Sequence, residues 1–147
     1  MYEAQRWNLS PERLYLDFWT RFFLRNHLTP DHLNHICNVG VGAGEFDDWL
    51  GYWNHGRARL SGIDVEPSII HMLTERQRIE RHLYPTEGVV GGLFQIDHLK
   101  DIDLITAVGS TLHETANQEE ALTALQRWLK PGGLLYVTQI HWLSSPE

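Results

Sequence analysis

The sequence predicts an α/β protein with a doubly wound, mainly parallel sheet of about five strands, helices on both faces and an extra helix ahead of the sheet. Three observations predict it. From His35 onward, short and nearly continuous apolar runs alternate with segments of helical period, the pattern of parallel strands buried on both faces. A glycine cluster stands where the first of those runs gives way to a helix. The length, 147 residues, suits a single core and leaves no room for a second domain. Residues 1–147 therefore read as one domain, with 1–34 a helical N-terminal segment and 35–141 the α/β core.

Each element has its own signal. Ser10 before Pro11 marks a helix start, since a serine caps free N–H groups and proline has none to leave unpaired. Leu14, Phe18 and Phe22, with Tyr15, Trp19 and Phe23, then recur at three- and four-residue spacing up to about His27. That aromatic face is expected to pack on the body of the domain, with a lid over a ligand or a contact between two copies as the alternatives. Strands are expected at 36–41, 58–63, 93–96, 104–108 and 134–140, and helices at 45–53, 67–81 and 117–129. The last strand follows the turn residues Lys130-Pro131-Gly132-Gly133.

Composition narrows the function. Apolar residues make up 42% of the chain, which excludes disorder for most of it. Twelve basic against 19 acidic side chains leave a net charge of −7, so no electrostatic footprint for a nucleic acid is expected. No stretch approaches the roughly 20 apolar residues of a membrane span. The N-terminus also lacks a basic head and apolar run, so a cytoplasmic protein without membrane contact is expected. Cys37 is the single cysteine, which rules out an intrachain disulfide and a cysteine-built zinc site; a buried, inert thiol is expected. His27, His32 and His35 are close together but lack the spacing and acidic partner of a metal motif, so no metal is expected.

The sharpest motif is Asn38-Val39-Gly40-Val41-Gly42-Ala43-Gly44. Glycines there allow a tight turn and close approach of a ligand, and the helix start behind them favours an anionic group. Asp64, 20 residues after Gly44, ends the next apolar run, where a carboxylate can accept hydrogen bonds from both ribose hydroxyls of an adenosine-containing ligand. The two features do not by themselves separate a dinucleotide from S-adenosylmethionine. Glu45 helps to decide, because it stands where a dinucleotide fingerprint wants a small residue and would repel a pyrophosphate. A nicotinamide-linked oxidoreductase is therefore disfavoured.

Five segments carry a resemblance: Gly-Val-Gly-Ala-Gly at 40–44, Gly-Ile-Asp-Val-Glu-Pro at 62–67, Phe-Gln-Ile-Asp at 94–97, Asp-Leu-Ile-Thr-Ala-Val-Gly-Ser-Thr-Leu-His-Glu at 103–114 and Leu-Lys-Pro-Gly-Gly-Leu-Leu-Tyr-Val-Thr at 129–138. In order and spacing the chain resembles a class I S-adenosylmethionine-dependent methyltransferase, whose sheet is Rossmann-like. The resemblance implies that Gly40, Gly42 and Gly44 line the methionine end of the cofactor, that Asp64 holds the ribose and that Val65 lies against the adenine. It places Asp97 near the adenine amino group, with Gly109 and Ser110 on the sulfonium side. Asn38 occupies the position where the family usually has an acidic residue that orients the cofactor's ammonium group. An amide can still accept that hydrogen bond, without the charge-assisted share.

The activity implied is transfer of the sulfonium methyl of S-adenosylmethionine to an oxygen or nitrogen of a small molecule, leaving S-adenosylhomocysteine. The alternative is a binding protein without methyl transfer, serving as a regulatory or structural partner. His113 is the candidate base and Glu114 its orienter, because an imidazole titrates near neutrality; a surface or helix-capping role is the competing reading. Trp7, Trp19 and Phe22 are candidate walls of the acceptor pocket, as is the His141-Trp142 pair. The chain reads as a short form without the family's closing antiparallel hairpin. A homodimer in which a second copy covers the edge of the last strand is therefore expected.

Overall fold

In the computed structural model, which describes residues 10–109, 112 and 115–138, a helix opens the chain. The Ser10 hydroxyl accepts from the Arg13 backbone N–H at 3.2 Å, and Pro11 sits in the first turn of α1, Pro11–His27. A single 3₁₀ turn, Pro30–His32, leads into β1, His35–Val39. There follow α2 (Glu45–Trp53), β2 (Arg59–Asp64), α3 (Pro67–Ile79), β3 (Glu87–Val90), β4 (Ile102–Ala107), α4 (Gln118–Trp128) and β5 (Leu129–Val137). The five strands form one parallel sheet in the order β3-β2-β1-β4-β5.

The apolar runs are continuous because the central strands have no solvent side. All residues of β1 and β4 are buried. On one face, Leu24 of α1 and Phe46 and Leu50 of α2 pack on Ile36, Leu60 and Leu104. On the other, Leu125 and Trp128 of α4 pack on Cys37, Ile105 and Ala107. Helix α3 reaches the sheet at Gly88, where a Cβ would come within 2.5 Å of the Ile70 side chain. Glycine in that strand is what lets the helix seat.

Three expectations change. The aromatic face of α1 does not pack on the body of the domain: Leu14, Tyr15, Phe18, Trp19, Phe22 and Phe23 stay 45–67% exposed, because the helix turns Asp17, Thr20 and Leu24 inward instead. Residues 93–96 are not the third strand. The chain leaves β3 at Gly91, whose φ of 152° ends the ladder, and the N–H groups of Gln95 and Ile96 turn back to the Gly92 carbonyl at 3.0 and 3.3 Å. Leu93 and Ile96 are three apart on one side of that turn and drop into the core, so their apolarity reports burial rather than a strand. The Lys130-Pro131-Gly132-Gly133 segment, expected as a turn ahead of the last strand, instead lies within β5 as an irregularity. Leu129 pairs with Ile102 and Leu134 with Leu104, so the extra residues bulge out of the ladder, with Gly132 at a φ of 78°.

The starts of β1 and β4 are pinned by one carboxylate. Asp103, 3% exposed, accepts from the backbone N–H groups of Asn34 and His35 at 3.0 and 2.9 Å and pairs with Lys130. Burial opposes its charge, but Lys130 and the two N–H groups prevail and hold the carboxyl below its ordinary range. Replacing Asp103 with Ala is expected to lower unfolding stability by about 2–3 kcal/mol, because it leaves buried donors without a charged acceptor. A urea midpoint equal to that of the unsubstituted chain would contradict this.

Candidate cofactor site

The site forms where β1 and β2 end. Gly40, Gly42 and Gly44 have φ of 81°, 56° and 81°, a region that side chains adopt only with strain. The turn is tied to the neighbouring strand: the Gly40 N–H donates to the Ile63 carbonyl at 2.8 Å, and the Gly42 N–H reaches Oδ2 of Asp64 at 3.4 Å. Oδ1 of Asp64 accepts from the Glu66 N–H at 3.0 Å, which orients the carboxylate at the mouth of a cavity of about 360 Å³. Gly40, Asp64, Val65, Leu93, Phe94 and Thr115 are among its walls. This is the carboxyl end of a doubly wound sheet, where its crevices open.

Gly44 has a different reason to be glycine. A Cβ there would meet Leu73 of α3 at 2.6 Å, so this residue lets α2 start close against α3.

The structure redirects Asn38. Its amide is 2% exposed and faces inward: Nδ2 donates to Oδ2 of Asp47 at 2.8 Å, and Oδ1 accepts from the Thr106 hydroxyl at 2.9 Å. It is committed to a buried seam joining β4, β1 and α2, and it does not line the cavity. Asp47 is fully buried, and burial, reinforced by the neighbouring Asp48, pushes its carboxyl up to about 8 despite the Asn38 hydrogen bond. Its Oδ1 has no hydrogen-bond partner among the described residues and lies 2.8 Å from where a Cβ on Gly62 would stand.

The remaining expected residues divide. Asp97 is exposed, its side chain 99% accessible beside His98, and it stands outside the cavity wall. The turn at 93–95 carries it away and brings Phe94 to the cavity instead. Gly109, buried with a φ of 100°, donates to the Thr138 hydroxyl at 2.8 Å and closes the ends of β4 and β5 together. Ser110, His113 and Glu114, together with Trp7, His141 and Trp142, lie outside the described residues. Cys37 is wholly buried, and burial raises its thiol above the ordinary range, in keeping with an inert role.

Among the described residues, one group has metal-ligand spacing. Ligand atoms of Asp48, Glu80 and His82 lie within 4.8 Å of one another. The Arg76 guanidinium already bridges Asp48 at 2.7 Å and Glu80 at 2.9 Å, supplying the positive charge that a cation would bring.

The family model described as a methyltransferase domain matches residues 37–137. The chain belongs to this methyltransferase family. Solved structures with the same fold include a S-adenosylmethionine-dependent methyltransferase from Aquifex aeolicus, at 21% identity and a TM-score of 0.70 over 93% of this chain and 72% of that one. Coclaurine N-methyltransferase, described as bound to N-methylheliamine and S-adenosylhomocysteine, is 16% identical with a TM-score of 0.70, over 87% of this chain and 36% of its own. The cyclase SpnF is 21% identical with a TM-score of 0.69, over 82% of this chain and 44% of its own. The chain thus spans less than half the length of either of the last two. No curated protein matches it in sequence.

The residues present at this cavity are chemically compatible with S-adenosylmethionine. The glycine turn carries no side chains that would block a ligand, the Asp64 carboxylate can accept from hydroxyls, and Val65, Leu93 and Phe94 give the cavity an apolar wall. Phe94, Gly91 and Thr115 were missing from the sequence-derived set. The Gly91-Gly92 pair after an apolar run was the available signal. Asp47 left no such signal, since it is one of three acidic residues in the first turn of α2 and only the packing shows it to be buried.

Asp47 makes stability depend on pH in a defined sense. Its carboxyl rises from an ordinary 3.8 to about 8 on folding, so between those values the folded chain holds a proton that the unfolded chain has released. Stability is therefore expected to fall as pH rises from about 4 to about 8, by at most about 1.4 kcal/mol per pH unit. Urea unfolding at pH 5 and pH 8 should show the Asp47→Asn variant gaining on the unsubstituted chain at the higher pH. An equal pH dependence in both would refute the raised carboxyl.

Proposed function

We propose that this chain is the cofactor-binding core of a S-adenosylmethionine-dependent methyltransferase acting on an oxygen or nitrogen of a small molecule. The observation that carries the reading is the positive-φ glycine turn bonded to Asp64 at the mouth of an apolar cavity, within a chain of the methyltransferase family. S-adenosylmethionine, when bound, supplies a methyl group already activated on a sulfonium. The protein's own task is then to position: Gly40 and Gly42 admit the methionine end, Asp64 accepts from the ribose, and Val65 with Phe94 holds the purine. An acceptor hydroxyl or ammonium must also lose its proton. His113 is the group assigned to take it, with Glu114 orienting the ring. Coclaurine N-methyltransferase and the Streptoalloteichus sugar N-methyltransferase KedS8 share the fold, which supports a small-molecule acceptor.

Binding of S-adenosylhomocysteine, followed by calorimetry, tests the cofactor assignment. Micromolar affinity is expected, with Asp64→Ala weakening it by about 10- to 100-fold as its charged hydrogen bonds are lost. Affinity for a nicotinamide dinucleotide alone would overturn the assignment.

The second reading, binding without methyl transfer, is favoured by one observation: SpnF, a cyclase, shares the fold. Incubation of cofactor-loaded protein with candidate acceptors, scored for S-adenosylhomocysteine release, separates the two.

The dimer belongs to the same proposal. β5 is an edge of the described sheet, and an edge strand presents unpaired backbone groups to a second copy. Sedimentation is expected to show a dimer, and a monomer at every accessible concentration would count against it.

A further inference from the structure

Helices α1 and α2 enclose a second, larger cavity of about 790 Å³, and its chemistry is unlike that of the cofactor site. Phe18 and Phe22 of α1 form one side and remain 60% and 51% exposed, an unusual state for two aromatic side chains on one helix face. Trp49 of α2 forms the other. Its ring is held flat by stacking on Phe46 at 5.6 Å and on Trp53 at 5.3 Å, which makes it a rigid platform.

Charge is distributed along this groove in order. Asp17, Arg21 and Arg25 follow one another at four-residue spacing, so they share a face of α1 at steps of about 6 Å. Asp17 is ion-paired with Arg13 at 3.1 Å, and Arg13 also donates to the Val108 carbonyl at the carboxyl end of the sheet. Glu45, the first residue of α2, immediately follows Gly44 of the glycine turn. The acidic end of the groove therefore abuts the cofactor turn, and the two arginines lie beyond it.

Among the described residues neither Arg21 nor Arg25 is taken up in an ion pair, in a chain with a net charge of −7, although Asp17, one turn before Arg21, feels the Arg21 charge. Arg21 lies over the Trp49 ring at 6.0 Å, and its buried Nε has no hydrogen-bond partner. The Arg21 guanidinium thus has donors to spare beside an aromatic ring, and Arg25 one turn on is exposed, an arrangement suited to a bidentate anion.

We infer that this groove binds an aromatic anion, with an arenecarboxylate as the simplest member of the class. The ring lies between Trp49 and the Phe18–Phe22 side, and the carboxylate is forked by Arg21 and Arg25. Asp17 and Glu45 repel the anion from the near end and accept from a neutral hydroxyl or amino group there. The ligand is thereby oriented with its nucleophile toward the glycine turn. As the methyl acceptor's site, the groove rests on the proposed function; as an anion site, it does not.

The test is titration of the protein, without cofactor, by 4-hydroxybenzoate, 4-hydroxybenzyl alcohol and 4-hydroxybenzylamine, followed by tryptophan fluorescence and calorimetry. The acid is expected to bind about tenfold or more tightly than the alcohol, the contribution of one charge-assisted pair, and the amine more weakly still. Arg21→Gln and the exposed-site variant Arg25→Gln should each remove most of that preference, with an unchanged urea unfolding midpoint in Arg25→Gln as proof of folding. Equal affinity for acid and alcohol, tightest binding of the amine, no binding of any probe, or an acid preference surviving both substitutions would overturn the proposal. Failure of S-adenosylhomocysteine to bind would overturn the cofactor assignment instead and leave this measurement standing.

Discussion

One buried amide holds the parts of this molecule in register. Asn38 lies at the centre of the sheet, and its two polar ends tie β4, through Thr106, to α2, through Asp47. The glycine turn begins two residues later, so the direction in which the chain leaves β1 depends on that seam. An amide in the middle of an apolar sheet must satisfy both its donor and its acceptor, and it finds one partner on each neighbouring element. The close approach of Asp47 then requires glycine at position 62, and the close seating of α3 requires it at positions 44 and 88. The glycines of this domain thus serve packing as much as ligand access.

Electrostatics divide the molecule into regions with separate duties. Asp103 and Lys130 secure the amino ends of the central strands, far from the cavity. Arg76 gathers Asp48 and Glu80 on the outer side of α2 and α3. At the carboxyl ends Asp64 is engaged, among the described residues, by backbone N–H groups alone, which orient it and leave it able to accept more. Asp103 and Asp48 are paired with cations and Asp47 is met by an amide, whereas the carboxylate facing the cavity carries neither partner among the described residues. Such a carboxylate keeps lone pairs open to a ligand, because an ion pair would compete for them.

Much of the architecture was legible because β1 and β4 are buried on both sides, and double burial leaves an unbroken apolar signature. The glycine turn and Asp64 were legible for a related reason: local backbone demands select particular residue types. The third strand was misplaced because Glu87–Val90 is an edge strand with partly exposed positions, while the turn after it carries the more apolar Leu93 and Ile96. Asn38 was misassigned because sequence position alone does not tell which way an amide turns.

The sequence by itself determined the fold class, the place of the glycine turn and the acidic net charge, since each follows from periodicity, glycine spacing or charge count along the chain. Only the tertiary structure decided that Asp47 is buried beside Asn38, that Phe94 rather than Asp97 meets the cavity, and that Arg21 reaches Trp49. Those are distances between residues far apart in the chain or on different elements. They depend on how helices seat on the sheet, and close packing fixes that seating through contacts that no local pattern encodes.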